Sequence, residues 1–342
     1  MDILITTQEG PLRDIYFPEE VLERLRPLGN LRFNDTGSPF TPGELAEGLK
    51  GAQVCITHWG CPSFTPEVLA HAEKLKLIAH AAGSVGSLVN AQVYEKGIKV
   101  SSANPIMARF VAEGVLAYFL AGLRLIPQFD SAMRKGLWID HTTDDRTLFG
   151  CRLGLVGLGT VGRYLLDLLK PFDVKIKLYD PYLKPGSLSQ YPFVELDSLE
   201  NVLAFGDIVS VHASLTPETY RLVDGAKLDL IREGALFVNT SRGRVIDEAA
   251  LAERLKARRL SAVLDVYEQE PLESDSPLRE LDNVILMPHR AAGPSRHQMT
   301  HAMVDEIERL ASGQPLAYEI GYEQFQRMTQ NDLKMDAIKK RS

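Results

Sequence analysis

The stretch Leu153-Gly-Leu-Val-Gly157-Leu-Gly159-Thr-Val-Gly162 decides the fold class of this 342-residue chain. A short apolar run leads into three glycines with the spacing GxGxxG, and an amphipathic segment follows. This order predicts a β-strand, a tight turn and an α-helix. Gly157 permits the turn, Gly159 lets the backbone approach a bound pyrophosphate, and Gly162 lets the helix pack against the strand.

The residues around this turn indicate which ligand it binds. Thr160 and Val161 open the predicted helix, whose free N–H groups and dipole favour phosphate. The next predicted strand ends in Asp180, 18 residues after the last glycine. A carboxylate at that place binds the hydroxyls of an adenosine ribose and repels a 2′-phosphate. The pattern therefore predicts NAD as cofactor, and NADP is less favoured, although Lys184 is near enough to keep NADP open.

Short β-rich runs alternate with amphipathic segments along the rest of the chain. The predicted strands are residues 3–5, 31–33, 54–57, 77–79 and 98–100, then 153–156, 175–179, 207–211, 235–239, 262–266 and 283–287. This spacing is typical of parallel α/β sheets. We expect two doubly wound parallel-sheet domains separated by a cleft. Residues 104–290 form a Rossmann dinucleotide-binding domain, inserted into a flavodoxin-like substrate domain of residues 1–103 and 291–342.

Charge and cysteine content exclude several classes of partner. A net charge of -7 argues against nucleic-acid binding, because phosphate backbones require a broad cationic surface. The cysteines Cys55, Cys61 and Cys151 are odd in number and have no CxxC spacing. This usage is typical of reducing cytosol and gives no indication of a metal site.

The apolar segments do not predict a membrane protein. The N-terminal apolar run is short and carries Asp2 where a signal peptide needs positive charge. The most apolar helical stretch, residues 111–126, is interrupted by Glu113 and Arg124. We therefore expect a buried helix there, and a cytoplasmic protein without a membrane partner.

Polar and ionisable residues follow successive strands of the second predicted sheet. They are His212 after 207–211, Arg242 after 235–239, Glu270 after 262–266 and His289 after 283–287. Because the carboxyl ends of parallel strands meet at one edge, where ligands bind, we expect these side chains beside the dinucleotide. We expect His212 to line the cofactor.

This set of side chains suits hydride transfer between a nicotinamide and a small 2-oxo acid. Arginine is always charged and grips a carboxylate with two parallel hydrogen bonds, so Arg242 is the candidate for binding the substrate. Histidine titrates near neutral pH, so His289 is the candidate acid/base. Glu270 would favour the protonated imidazole and orient the ring. Glu268 is the nearest rival to Glu270 for this task.

The same motifs resemble those of the D-isomer-specific 2-hydroxyacid dehydrogenases, a family that includes D-lactate, glyoxylate/hydroxypyruvate and phosphoglycerate enzymes. The resemblance spans nearly the whole chain and is clearest over residues 104–293. It rests on GLGTVG at 157–162, HASLTPET at 212–219, VNTSRG at 238–243, DVYEQEPL at 265–272 and PH at 288–289. The resemblance implies catalytic Arg242, Glu270 and His289. It further implies that Thr240 and Asp265 lie near the nicotinamide and that the cofactor domains form a homodimer.

Two places in the predicted substrate domain concern substrate recognition. The family carries a glycine-rich turn there, AGxGxDN, whose amides hold the substrate carboxylate. This chain reads Ala-Gly-Ser84-Val85-Gly86-Ser-Leu, with the acid replaced or displaced, so substrate identity stays open. Trp59, after another predicted strand, either lines the substrate pocket or is an exposed loop residue. A further departure is Arg290, where the family has a small or apolar residue.

Two other functions remain alternatives at this level. One is an enzyme similar to formate dehydrogenase, but such enzymes place glutamine beside the histidine, and Glu270 counts against this reading. The other is a cofactor-sensing protein similar to the corepressors of this fold, in which NADH binding controls assembly. The three candidate catalytic residues do not exclude it, because such relatives keep them.

Overall fold

The chain forms two compact units in the computed structural model, which describes residues 1–139, 145–184, 186–293 and 295–329. One unit contains Met1–Ala108 and the described residues after Gly293, and the other contains Arg109–Gly293. Neighbouring strands pair in parallel in both units. The predicted fold class, two doubly wound parallel α/β sheets, is confirmed.

Strands and helices mostly alternate along the described ranges. The strands are β1 (Asp2–Gln8), β2 (Asn30–Asn34), β3 (Val54–Thr57), β4 (Leu77–His80), β5 (Lys99–Ser102), β6 (Arg152–Val156), β7 (Lys175–Tyr179), β8 (Val194–Leu196), β9 (Ile208–Val211), β10 (Leu236–Asn239), β11 (Ser261–Leu264) and β12 (Val284–Leu286). The helices are α1 (Pro11–Tyr16), α2 (Glu19–Leu25), α3 (Pro42–Leu49), α4 (Pro66–Leu69), α5 (Ala91–Glu95), α6 (Asn104–Leu123), α7 (Ile126–Arg134), α8 (Thr160–Leu169), α9 (Leu199–Phe205), α10 (Gly225–Leu228), α11 (Glu248–Lys256), α12 (Arg296–Ala311) and α13 (Tyr322–Gln326).

The sheet of the first unit has the order β2-β1-β3-β4-β5 within the described ranges, which is the flavodoxin-like order. Helix α3 begins with a capping box. At α3 the Thr41 side chain accepts from the amide of Glu44, whose carboxylate accepts from the Thr41 amide in return. Helix α12 brings the end of the chain back to this unit and packs on α2 through apolar residues such as Met303.

The sheet of the second unit has the order β12-β11-β10-β9-β6-β7-β8 among the described residues. From β6 outward this is the Rossmann order, with one additional strand. The order reverses between β6 and β9, so the ligand crevice of this sheet opens beyond the carboxyl ends of those two strands. The sequence did not predict β8, an edge strand of three residues that are half-buried or exposed and therefore lack an apolar pattern.

Helix α6 is long and apolar enough to cross a membrane by length and composition alone, and 44% of an apolar 18-residue stretch within it is buried inside the protein. Core helices of water-soluble proteins can have the same length and apolar composition. Ala112, Val115 and Phe119 lie on one side of α6 and are fully buried. This burial favours the predicted interpretation of α6 as a packed core helix.

Candidate functional site

The glycine-rich turn lies at the switch point between β6 and β9. The backbone of Gly157 has φ 92°, which a side chain would strain. A Cβ added there would lie 2.9 Å from the backbone nitrogen of Ala213, so the loops after the two strands pack closely. A Cβ at Gly159 would instead meet nothing within 4 Å. Protein packing therefore does not require glycine at 159, whereas close approach of a pyrophosphate does.

The predicted ribose carboxylate lies beside this turn. Asp180 follows β7 and accepts hydrogen bonds from the amide of Leu158 (2.8 Å) and from the amide of Tyr182 (2.9 Å). The Leu158 bond joins the end of β7 to the glycine-rich turn. Each carboxylate oxygen keeps a lone pair for a further donor, as ribose recognition requires.

Two more predicted cofactor residues lie at the same sheet edge. The Thr240 hydroxyl oxygen follows β10, is buried, and finds no hydrogen-bond partner among the described residues. His212 follows β9, and its Nε2 lies 2.8 Å from the Ser210 hydroxyl oxygen. Burial lowers the pKa of His212 to about 4, so its ring is neutral near pH 7. An orphaned buried hydroxyl and a neutral imidazole fit an uncharged polar part of a cofactor.

His289 and Glu270 form a direct pair. Nδ1 of His289 lies 2.7 Å from Oε2 of Glu270, and the amide of Tyr267 donates to the other oxygen at 3.1 Å. Burial opposes ionisation of Glu270, but its hydrogen bond with His289 and the charge of that ring hold the pKa of Glu270 below its ordinary value. The predicted rival, Glu268, instead pairs with Arg221 at 3.3 Å.

Arg242 lies near this pair, in the loop after β10. Burial lowers the pKa of its guanidinium, while the negative charge of Glu270 opposes that effect. An arginine nevertheless stays charged at physiological pH. The next residue, Gly243, touches the following loop so closely that a Cβ would lie 1.9 Å from the carbonyl carbon of Tyr267. The Arg-Gly sequence thereby fixes the Arg242 loop against the segment that leads to Glu270.

Asp265 holds the backbone that follows His289. Its carboxylate is 1% exposed and accepts from the amides of Arg290 (2.7 Å) and Ala291 (2.9 Å). The Tyr118 hydroxyl of α6 donates to it at 3.2 Å. His289 itself has φ 53°, a left-handed conformation that is uncommon outside glycine. The two hydrogen bonds that Asp265 accepts from backbone amides stabilise that conformation, so the protein holds His289 in a strained backbone conformation.

The sequence missed Tyr118 altogether and found only part of what Asp265 does. Tyr118 lies within an apolar helix, where its contact with a residue of another element leaves no signal in the sequence. Asp265 was predicted beside the nicotinamide, and the structure adds its hydrogen bonds to the segment after His289.

The predicted substrate loop belongs to the first unit. Val85 is fully buried in the apolar core, so only its backbone can reach a ligand. The Gly86 amide donates to the Ser84 hydroxyl oxygen at 3.2 Å, and that hydroxyl donates to the carbonyl of Thr329 at 3.2 Å. The Gly86 amide thus already has an acceptor within the protein, which weakens the expectation that it holds a carboxylate.

Trp59 lies in the loop after β3 and is 45% exposed. Beside it lie two buried histidines that the sequence analysis did not single out. His58 stacks on Tyr16 with ring centroids 5.2 Å apart, and His80 lies 2.9 Å from the Thr57 hydroxyl oxygen. Burial lowers the pKa of His58 to about 4 and that of His80 to about 3, so both rings are neutral.

A Rossmann sheet with this glycine-rich turn and a carboxylate at the end of β7 is typical of a nicotinamide-dinucleotide-binding protein. A sequence model described as "D-isomer specific 2-hydroxyacid dehydrogenase, NAD binding domain" matches residues 116–291. That stretch covers about half of the chain and includes the catalytic candidates of the second unit.

Individual relatives agree with this match. The chain is 33% identical over 300 residues to a D-3-phosphoglycerate dehydrogenase of Methanocaldococcus jannaschii, covering 86% of this chain and 56% of the relative. It is 31% identical over 304 residues to a glyoxylate reductase of Korarchaeum cryptofilum, covering 87% and 91%. The solved TT0316 protein from Thermus thermophilus superposes with a TM-score of 0.76 at 30% identity, covering 94% and 100%.

The chain belongs to the D-isomer specific 2-hydroxyacid dehydrogenase family, and its residues 116–291 form the NAD-binding domain of that family. It spans about half the length of the D-3-phosphoglycerate dehydrogenases that it matches, namely 56%, 48% and 44% of three of them. The resemblance identified from the sequence motifs is confirmed.

Proposed function

We propose that this protein transfers a hydride between NAD(H) and a small D-2-hydroxy acid/2-oxo acid pair. The observation that carries the proposal is the hydrogen-bonded His289–Glu270 pair, with the Arg242 guanidinium close enough to interact with Glu270. A cation and an acid/base at the ligand edge of a Rossmann sheet are the groups that reduction of a 2-oxo acid needs.

Each residue has a distinct task in this reaction. Arg242 binds the substrate carboxylate and polarises the carbonyl oxygen. Bound NADH supplies the hydride that adds to the carbonyl carbon. His289 gives a proton from Nε2 to the carbonyl oxygen, which completes the hydroxyl group, and it takes that proton back in the reverse direction. Glu270 stabilises the protonated ring before the transfer and keeps its orientation afterwards.

Cofactor binding is assigned to the turn and to the residues at the sheet edge. Gly157, Gly159 and Gly162, with the amides of Thr160 and Val161, hold the pyrophosphate. Asp180 binds the ribose hydroxyls, and its charge disfavours the 2′-phosphate of NADP. His212, Thr240 and the Asp265 region line the nicotinamide end.

The chain's organisation follows the same scheme. Residues 104–290 are the cofactor domain, and residues 1–103 with 291–342 are the substrate domain, where Trp59 and the 84–86 loop face the substrate. We place the protein in the cytoplasm, with no nucleic-acid or membrane partner.

The proposed homodimer forms through the cofactor domains. Helix α7 and the residues just after it expose four large apolar side chains, each between 52% and 84% accessible: Ile126, Met133, Leu137 and Trp138. Such exposure is typical of a surface that a partner covers.

The dimer is tested by light scattering of the full chain. We expect twice the monomer mass, and a shift toward monomer in a Trp138→Asp, Met133→Asp double variant. A monomeric parent protein would remove this part of the proposal without affecting the chemistry.

The reaction is tested by NADH oxidation with glyoxylate, hydroxypyruvate, pyruvate and bulkier 2-oxo acids. His289→Ala should lower kcat by about 100- to 10,000-fold while NADH still binds. His71→Ala, which removes a histidine elsewhere in the chain, serves as the control and should keep full activity. Tight NADH binding without turnover of any acid, or full activity of His289→Ala, would contradict the proposal.

A further inference from the structure

Three side chains of types that can bind metals converge on the surface of the first unit, on elements that carry none of the catalytic candidates. Glu20 lies on α2, and His297 and His301 lie one turn apart on α12. Nε2 of His297 is 2.5 Å from Oε1 of Glu20 and 3.0 Å from Nε2 of His301, which is 3.5 Å from the same carboxylate oxygen. Among the residues that the structure describes, this is the one group of three such side chains whose ligand atoms lie within 4.8 Å of one another.

The protons available to this group cannot satisfy all of its contacts. Nη1 of Arg24 lies 3.2 Å from Nδ1 of His301, and a guanidinium only donates, so a hydrogen bond between them requires a lone pair on Nδ1 and leaves the proton of His301 on Nε2. If Nε2 of His297 is also protonated, two N–H groups face each other across 3.0 Å. If it is not, its lone pair faces the Glu20 carboxylate across 2.5 Å. Either arrangement sets two like groups against each other.

A cation at the centre of the group removes this conflict, because all three atoms can then direct lone pairs at it. We propose that Glu20, His297 and His301 bind a divalent transition-metal ion, with Zn²⁺ as the ion of choice. Two imidazole nitrogens and one carboxylate oxygen are the ligands that zinc takes when a fourth position stays open. Histidines at i and i+4 lie on the same face of a helix, as such a site requires.

The distances are compatible with this ion after a small adjustment. Zinc bonds of about 2.0–2.2 Å in tetrahedral geometry place ligand atoms roughly 3.3–3.5 Å apart. The His297–His301 and His301–Glu20 separations of 3.0 and 3.5 Å are already close to this range. The His297–Glu20 contact has to open by about 1 Å, and the Glu20 side chain is 61% exposed and can rotate to allow it.

Arg24 competes with the metal for His301. An imidazole bound to zinc through Nε2 carries its proton on Nδ1, so the contact with Nη1 of Arg24 must break. Arg24 remains anchored without it, because its Nε and Nη2 donate to Glu308 at 3.1 and 2.8 Å and its Nη2 donates to Asp305 at 2.6 Å. Those two acids also keep the surroundings of the site negative.

The site joins segments from the two ends of the described chain. Helix α2 precedes the second strand, whereas α12 follows the whole second unit, and the two helices pack on each other. A bound ion therefore cross-links this packing and stabilises the folded first unit by mass action, because the unfolded chain does not bring the three ligands together. This role is independent of the proposed hydride transfer.

The test is zinc binding to the full chain, measured by competition with a chromophoric chelator and by thermal unfolding with and without ZnCl₂. We expect one zinc ion bound with a Kd of about 1–10 μM. Saturating zinc should raise Tm by roughly 5 °C. His297→Ala and His301→Ala should each lose this ion and the Tm rise. The matched controls are His71→Ala and His289→Ala, which remove imidazoles elsewhere and should keep both.

A further variant tests the competition. Arg24→Met removes a positive charge next to the site and should bind zinc roughly tenfold more tightly. The proposal is overturned if the parent protein binds no zinc, or if zinc does not raise its Tm. It is also overturned if the double variant His297→Ala, His301→Ala binds zinc as tightly as the parent does. Loss of zinc binding in His289→Ala alone would place the ion at the candidate active site and would equally overturn the proposal.

Discussion

Nδ1 of His289 lies 2.7 Å from Oε2 of Glu270, although 19 residues separate them in the sequence. With Nδ1 engaged, Nε2 is the ring nitrogen that can exchange a proton with a substrate. The pair is held from two sides, because the Tyr267 amide binds Glu270 and Asp265 fixes the backbone after His289. The proposed proton transfer would therefore depend on groups that do not themselves exchange the proton, so the proposal can be tested at several positions.

Glu270→Gln should lower kcat for 2-oxo acid reduction by about 100-fold and confine the remaining activity to lower pH. The amide keeps the shape of the side chain but no longer stabilises a protonated imidazole. The measurement is the pH profile of kcat for both proteins, with Glu268→Gln as the control. A profile that is unchanged in height and position would show that Glu270 is not the partner of the acid/base.

The same carboxyl group affects stability at low pH. The pKa of Glu270 is lower in the folded protein than in the unfolded chain, so unfolding takes up a proton as the pH approaches the unfolded value of about 4.3. The resulting stability is present above that pH and is lost as the pH falls through the folded pKa. The Tm of Glu270→Gln should therefore fall less steeply than the Tm of the parent as the pH is lowered. The same dependence of Tm on pH in both proteins would contradict this.

Arg242→Lys should lower kcat/KM for 2-oxo acids by about 100-fold or more, since a compact ammonium cannot make the two parallel bonds of a guanidinium. Steady-state kinetics with NADH saturating measure the effect, and NADH affinity measured separately shows whether the cofactor site is intact. Arg244→Lys, in the same loop, is the matched control. Near-parent kinetics in Arg242→Lys would exclude Arg242 as the substrate clamp.

Asp265→Asn should cost about 1–3 kcal/mol of stability and lower kcat at least about tenfold. An amide offers one acceptor oxygen, so one of the two backbone N–H groups that Asp265 now satisfies would face an NH₂ group. Urea unfolding and kcat measure the two effects. Tyr118→Phe removes only the hydroxyl contact and should have a much smaller effect. Parent-like kcat in Asp265→Asn would show that His289 does not need this support.

Asp180→Ser should raise the ratio of kcat/KM with NADPH to that with NADH by about tenfold, or ~1.4 kcal/mol, because the repulsion of a 2′-phosphate is lost. Initial rates with both cofactors at one substrate concentration measure the ratio. Asp173→Ser, at the other end of β7, is the control. An unchanged ratio would mean that the ribose lies elsewhere.

Because of the two buried histidines of the first unit, we expect the free energy of unfolding to depend on pH just below neutrality. His58 and His80 stay neutral in the folded protein down to pH values of about 4 and 3, whereas the unfolded chain binds a proton at each below about 6.5. Stability should therefore fall with pH from about 6.5 downward, by up to about 1.4 kcal/mol per pH unit for each histidine. His58→Phe should remove the part of this pH dependence that is due to His58. The free energies of unfolding of parent and variant, measured by urea unfolding at a series of pH values, should run parallel above about pH 7.5. An unaltered slope would contradict the burial argument.

Much of the fold was predictable because its signals are local. The glycine spacing at 157–162 and the apolar run of each predicted strand depend on residues within a short stretch of sequence. Strand β8 was not predicted because it is short and lacks an apolar pattern.

The candidate site was predictable only as a set of strand ends. Parallel topology brings the carboxyl ends of β9–β12 to one edge, so the approximate neighbourhood of Arg242, Glu270 and His289 follows from the strand order. Which carboxylate reaches the histidine does not follow from it. Glu268 and Glu270 are two residues apart in the loop after β11. Only the folded path of this loop places Glu270 against His289 and Glu268 against Arg221.

The sequence by itself determined the two parallel α/β sheets, the dinucleotide turn and the family, because each is encoded in short-range patterns of glycine, apolar and charged residues. Only the tertiary structure decided that Asp265 grips the amides after His289, that Gly243 abuts Tyr267, and that Glu20 meets two histidines of α12. Those contacts join residues far apart in the chain, and their distances depend on how packed helices and loops settle against each other, which no local pattern specifies.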